Sequence, residues 1–235
     1  MNRAAAWTRV GSLITTAGHA YSARQRRRRG AIFLERLRPA RADRILDLGS
    51  EDGSHIASIL GRGYDVSIAD IDQAAVESGQ RKFGFKPVVV PEDGALPFTD
   101  GHFDIVFCSS VIEHATVDKK DLRQYRSTTE FRRAAWARQK RLAQEIRRIG
   151  RRYYVQTPYR YFPIESHTWL PAVIVLVPRW LQIRLIDHMN RFWPKKTDPD
   201  FHLLTPRDMR ILFPDAEVRY ERSFGLLKSM IAVRS

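Results

Sequence analysis

The chain has 235 residues, of which 43% are hydrophobic, so it can bury a sizeable core and is not disordered by composition. Its one cysteine, Cys108, excludes an internal disulfide, and no window reaches the roughly 18 apolar residues that a membrane-spanning helix needs. The net charge of +14 points to a polyanionic partner, whether nucleic acid, an anionic membrane surface or an acidic substrate, although 32 of the 40 basic residues are arginine, a bias that genome composition alone can produce.

In chain order, residues 1–38 read as a basic helix, broken near Gly30 and ended by Pro39. The first 34 residues hold no acid and include four consecutive arginines, Arg26 to Arg29. A transit peptide has this composition, and so does a basic helix resting on the domain or on lipid headgroups; the helix is the expected reading. Residues 44–48 (RILDL) form a short strand that enters a glycine-containing turn, GSEDG. Residues 54–61 show helical spacing of Ile56, Ile59 and Leu60, with Ser54 placed to cap. Residues 65–69 alternate into a strand that ends on Asp70. Residues 73–82 read as helix, 87–90 as strand and 103–108 as strand.

Residues 118–149 predict one long, heavily charged helix with Leu122, Tyr125, Phe131, Trp136, Leu142, Ile146 and Ile149 on its inner face. Residues 152–156 are the next strand. From 157 to about 205 the chain is rich in proline and aromatics, and residues 217–222 and 227–233 form two final strands around Gly225. Strands alternating with helices predict an α/β domain built on a parallel, doubly wound sheet, which binds its ligand outside the carboxyl ends of the strands. The expected organisation is a basic helical extension, 1–38, and one domain, 39–235, with an insert at about 157–205.

Three acids, Asp47, Asp70 and Asp93, lie at or near those strand ends. Gly49 and Gly53 permit a tight turn and close approach of a ligand, unless they serve an ordinary turn alone. Asp70 follows Gly49 by 21 residues, about the spacing at which an acid grips ribose hydroxyls; the alternative is a cap for the helix at 73–82. A diphosphate would be repelled by Glu51 and Asp52, and the turn carries no lysine or arginine. A sulfonium cofactor without phosphate suits it better. Asp104 reads as structural and Cys108 as core.

Residues 44–115, and above all LPFTDGHFDIVFCSSVIEH with DLGSEDG and ADID, resemble the class I S-adenosylmethionine-dependent methyltransferases of small molecules and lipids, the methyltransferase type 11 group. The departure is Glu51, which stands at the middle glycine of the usual G-x-G-x-G. The resemblance implies a Rossmann-like, mostly parallel seven-stranded sheet with a final antiparallel strand. It implies S-adenosylmethionine as cofactor, held by Asp47, Gly49, Gly53, Asp70, Ile71, Asp93 and Ser109. The second half, from EIRRIGRRYYVQTPYRYFPIESH to FGLLKSMIA, is similar to a bacterial subgroup of the same family.

For chemistry on the acceptor, His114 and His167 are the candidate catalytic residues, with packing as the alternative for each. Tyr159, Glu165 and His167 are expected to contact the acceptor from an insert that covers its pocket. A metal site from Glu113, His114, Glu165 and His167 is not diagnosed by their spacing, and no metal is expected. The expected acceptor is a small molecule, lipid or glycan. Nucleic acid is not expected, because an Asn/Asp-Pro-Pro-aromatic segment, a Pro-Cys and a separate RNA-binding module are all missing from the sequence, but an RNA methyltransferase and a non-catalytic cofactor-binding protein remain as alternatives. Residues 169–186 suit either an interfacial segment or a lid packed on the sheet, so the expected location is the cytoplasm with peripheral contact to anionic membrane.

Overall fold

A computed structural model describes residues 3–235 except 50, 92, 93, 166 and 194, and describes side chains from residue 20 onward. Seven strands form one sheet: β1 (Arg44–Leu48), β2 (Asp65–Asp70), β3 (Lys86–Val89), β4 (Phe103–Ser109), β5 (Gly150–Pro158), β6 (Glu217–Ser223) and β7 (Leu226–Arg234). Their order is β3-β2-β1-β4-β5-β7-β6, and β7 alone runs antiparallel to its neighbours. Strand order reverses between β1 and β4, the position at which such sheets bind ligands.

Among the described residues the six α-helices are α1 (Arg3–Leu37), α2 (Ser54–Leu60), α3 (Gln73–Phe83), α4 (Thr128–Ile149), α5 (Arg179–Met189) and α6 (Pro206–Leu212). Strand residues alternate between two apolar layers, as a period of two requires. Ile45, Ile105 and Phe107 face Phe33 and Leu37 of α1, Ile56 of α2 and Val76 of α3. Leu46, Val106 and Cys108 face Ala143 and Ile146 of α4 and Met209 of α6.

Four local readings change. Helix α1 runs unbroken through Gly30, because a side chain there would meet Ile59 at 2.8 Å; the glycine lets α1 and α2 approach rather than breaking the helix. Phe33 and Leu37, placed by sequence in an extension, are buried in the sheet core. Ser54 is not a cap: Gly53 caps α2, and the carboxylate of Asp52 accepts the Ser54 N–H. The charged stretch at 118–149 is not one helix, since the extended Ser127 caps α4 from Glu130 N–H and Leu122 packs with Val117 and Phe131 in a separate cluster.

The proline-rich insert contains a helix that the sequence reading passed over. Pro178 starts α5, whose Ile183 and Ile186 are buried while Trp180 and Leu185 stay exposed. Arg179 is buried too. Its guanidinium lies 3.8 Å from the centre of the Phe131 ring and donates to Gln182 and to the carbonyls of Leu122 and Pro199, which fastens the insert to the chain before α4.

Candidate active site

The turn after β1 is shaped by its first glycine. Gly49 sits at φ 75°, and a side chain there would lie 2.4 Å from Val111 of the segment after β4. Glu51, at the position of the missing middle glycine, also adopts the left-handed region, at φ 58°. The backbone shape of the motif is thus retained without its glycine. Asp70 secures it: one carboxylate oxygen accepts the Glu51 N–H at 2.9 Å and the other the Asp72 N–H at 3.0 Å. The alternative reading of Asp70 as a helix cap fails, because Asp72 caps α3 through the Ala75 N–H.

Asp47 is fully buried at the end of β1, and Ile71 is exposed beside Asp70. Asp93 lies outside the described residues. The turn is less acidic than its sequence suggests: Lys82 of α3 pairs with Asp52 at 2.7 Å and holds that carboxyl below its ordinary range, chiefly by hydrogen bonding. Glu51 remains exposed. An open acidic residue, a half-buried acid at the end of β2 and a tight left-handed turn fit a cationic sulfonium nucleoside.

The segment after β4 leads from this turn to a second region. Ser109 and Ser110 each donate to Gln156 Oε1 at 2.9 Å, and the Gln156 amide nitrogen is buried with no hydrogen-bond partner among the described residues. Ser110 and Gln156 open onto a cavity of about 750 Å³ between α1, the insert and the β6–β7 hairpin. Tyr159 and His167 line it, with Tyr21, Trp169 and Phe224; so do Arg26, Arg29, Lys195 and Lys228, and no acid does among the described residues. Sequence reasoning missed the α1 residues and Lys228.

Glu165 does not reach the cavity. It is buried behind His167, whose Nδ1 lies 2.6 Å from Glu165 Oε1; its carboxylate also accepts the N–H groups of His167 and Thr168. On the other side His167 Nε2 stands 3.6 Å from Oε1 of the fully buried Glu113, whose Oε2 accepts from Thr157 at 2.9 Å. Burial lowers the pKa of His167, but the two carboxylates outweigh it and raise it to about 9, while Glu165, despite its own burial, falls to about 2. At neutral pH His167 is an imidazolium and cannot act as a base. His114 packs edge-on against it at 4.7 Å and faces Asp200 at 3.0 Å. It borders the same cluster without lining the cavity.

Asp104 is structural, accepting the Arg44 N–H at 2.9 Å, and Cys108 is core. Among the described residues no helix is long and apolar enough to cross a membrane.

Residues 46–152 match the family described as the methyltransferase domain. No curated protein matches the sequence. Among solved structures, a chain of the complex between the Haloferax volcanii Trm112 methyltransferase activator and a methyltransferase is 16% identical, with a TM-score of 0.55 over 94% of this chain and 96% of that one. The YcgJ protein of Bacillus subtilis is 15% identical, with a TM-score of 0.51 over 83% and 71%. The PH0226 protein of Pyrococcus horikoshii is 14% identical, with a TM-score of 0.50 over 86% and 85%. These likenesses show the fold alone, and the family match, which spans β1 to β5, makes residues 46–152 a methyltransferase domain.

Proposed function

We propose that this enzyme methylates a small-molecule, lipid or glycan acceptor that carries an anionic group and sits in the cavity beside Ser110 and Gln156. The cavity carries the argument. Its volume of about 750 Å³ is that of a site for one small ligand, not of an open groove for a polynucleotide. Its walls combine aromatic faces with four cations and no acid among the described residues, which suits a ring system or lipid bearing a phosphate or carboxylate.

Gly49, Gly53, Asp70, Ile71 and Ser109 would hold the cofactor, with Asp70 turning toward its ribose hydroxyls and Asp47 supporting the turn. S-adenosylmethionine supplies the electrophilic methyl carbon. The chain's own residues orient the two reactants and exclude water, which is most of what in-line methyl transfer requires. Tyr159 and His167 line the cavity on the side of the insert. Peripheral contact with an anionic membrane is supported by the exposed Val173, Leu176 and Trp180 of the insert, the last with Arg184 over its ring.

Incubation with S-adenosylmethionine and fractionated small-molecule, lipid and RNA extracts, followed by mass spectrometry for a 14-Da gain, tests the reading. Methylation in the lipid or small-molecule fraction is expected, and it should be lost in Arg26→Glu/Lys228→Glu. Methylation confined to RNA would overturn the proposal.

A further inference from the structure

We propose that Glu113, His114 and His167 bind one divalent metal ion of the zinc type at the wall of the acceptor cavity. The inference rests on the acceptor reading above, because it assigns the ion a role in activating that acceptor. Sequence spacing did not suggest the site; the fold assembles it from the segment after β4 and the insert after β5.

The donor atoms of the three side chains lie within 4.8 Å of one another. Zinc takes nitrogen and oxygen ligands at about 2.1 Å, so two donors on a tetrahedral ion stand about 3.4 Å apart. His167 Nε2 and Glu113 Oε1 are separated by 3.6 Å, too far for a hydrogen bond and close to that edge length. A relative movement of up to about 1.4 Å, within reach of side-chain rotation, would bring the widest pair from at most 4.8 Å to that edge length.

Two of the ligands are also held from behind. Glu165 lies 2.6 Å from His167 Nδ1 and Thr157 donates to Glu113 Oε2, while Asp200 stands 3.0 Å from His114 Nδ1 without hydrogen-bond geometry. These partners fix the His167 ring and the Glu113 carboxylate and leave their remaining atoms for an ion. One of those atoms is otherwise costly. Glu113 Oε1 is fully buried and accepts no hydrogen bond from any described residue. Three carboxylates around two imidazoles, Glu113, Glu165 and Asp200, supply the negative charge that a dication balances as it displaces the His167 Nε2 proton into solvent.

Two histidines and one glutamate leave a fourth position, as catalytic zinc sites do. Because His167 lines the cavity, that position faces the acceptor. An acceptor hydroxyl bound there loses its proton to solvent water. Its oxygen then forms a bond to the methyl carbon as the carbon–sulfur bond breaks, and the sulfur keeps the electron pair as a neutral thioether.

Untagged full-length protein, freed of metal by chelator and titrated calorimetrically with Zn²⁺, should bind one equivalent. Co²⁺ should give the visible absorption of a four-coordinate site with nitrogen ligands. Glu113→Gln and His167→Ala should each weaken Zn²⁺ at least a hundredfold, and Glu165→Gln about tenfold. His114→Ala, at a half-exposed position, serves if the buried variants fail to fold, and His188→Ala should bind as the parent does. Zn²⁺ binding that is absent, or that persists in folded Glu113→Gln and His114→Ala, overturns the site. Methyl transfer to an extracted lipid or small molecule that continues without any bound ion overturns it while sparing the acceptor reading; one bound ion with methylation of RNA alone does the reverse.

Discussion

Replacing Glu51 by glycine should make the protein more stable, although the side chain lost is exposed and makes no contact that holds the turn. Glu51 occupies the left-handed region at φ 58°, which costs a residue with a Cβ about 1–2 kcal/mol. Glycine removes that strain but gives the unfolded chain more freedom, worth about 0.5–1 kcal/mol in the opposite direction. The difference is a gain of about 0.5–1 kcal/mol, or roughly 1–4 °C in melting temperature for a domain of this size. The hydrogen bond from the residue 51 N–H to Asp70 belongs to the backbone and survives. Urea unfolding of the parent, Glu51→Gly and Glu51→Ala decides the matter, since alanine keeps the strain and should not stabilise. A glycine variant less stable than the parent by 0.5 kcal/mol or more would refute the strain argument and give the Glu51 side chain a stabilising role.

Asp70→Ala should weaken S-adenosylmethionine binding about tenfold to a hundredfold by calorimetry, because charge-assisted bonds are worth about 1.5–3 kcal/mol; unchanged affinity would leave Asp70 as a fastener of the turn alone. Stability should fall between pH 7 and pH 5. Burial, helped by Arg29 and Arg26, lowers His55 to about 4, and burial beside Arg160 and Arg132 does the same to His202. A depressed histidine contributes stability that is present above its ordinary pKa of 6.5 and lost as pH falls toward 4, so each removes up to about 2 kcal/mol at pH 5; a flat profile in urea titrations would contradict this. Flotation with anionic liposomes at low salt should be reduced by Leu176→Asp/Trp180→Asp, and equal flotation of parent and variant would remove the insert from any membrane contact.

The strands and their order of use were legible because a buried parallel strand writes its apolar run directly into sequence, as RILDL and FDIVFC do. The turn after β1 was legible from its glycines and from the 21-residue interval to Asp70. What escaped had non-local causes. Lys82 reaches Asp52 across 30 positions, so the electrostatics of the turn could not be read from the turn itself. Gly30 looked like a helix break because its reason, the close approach of Ile59, lies in another helix. The sequence offers His167 as catalytic or as packing, but its charge is set by Glu113, 54 residues earlier, and Glu165 supports it rather than facing the acceptor. The cavity itself has no sequence signature, since α1, the insert and the hairpin meet only in the fold.

That meeting gives α1 two separable duties, and a pair of deletions distinguishes them. Phe33 and Leu37 bury fully against the sheet, so the last turns of α1 belong to the core. Tyr21, Ser22, Arg26 and Arg29 instead form one wall of the cavity, and the Tyr21 hydroxyl meets Ser223 Oγ of β6 at 2.6 Å. Deleting residues 1–19 leaves both sets in place, so stability, cofactor affinity and turnover should stay close to those of the full chain. Deleting residues 1–29 keeps Phe33 and Leu37 but removes the wall, together with two of the cavity's four cations. It also removes the Arg29 carbonyl that accepts from the Tyr154 hydroxyl at 3.3 Å and the Arg29 guanidinium 3.7 Å from the buried Glu221 carboxylate, so stability should fall as well. Among the described residues the turn makes no hydrogen bond or ion pair with residues 20–29, and Arg26 and Arg29 act instead on His55 in the first turn of α2. Cofactor affinity should therefore persist in the second deletion while the acceptor KM rises more than tenfold, measured with the methylated acceptor once isolated. Equal KM values in both deletions would show that the acceptor binds elsewhere and that α1 closes the cavity for packing alone.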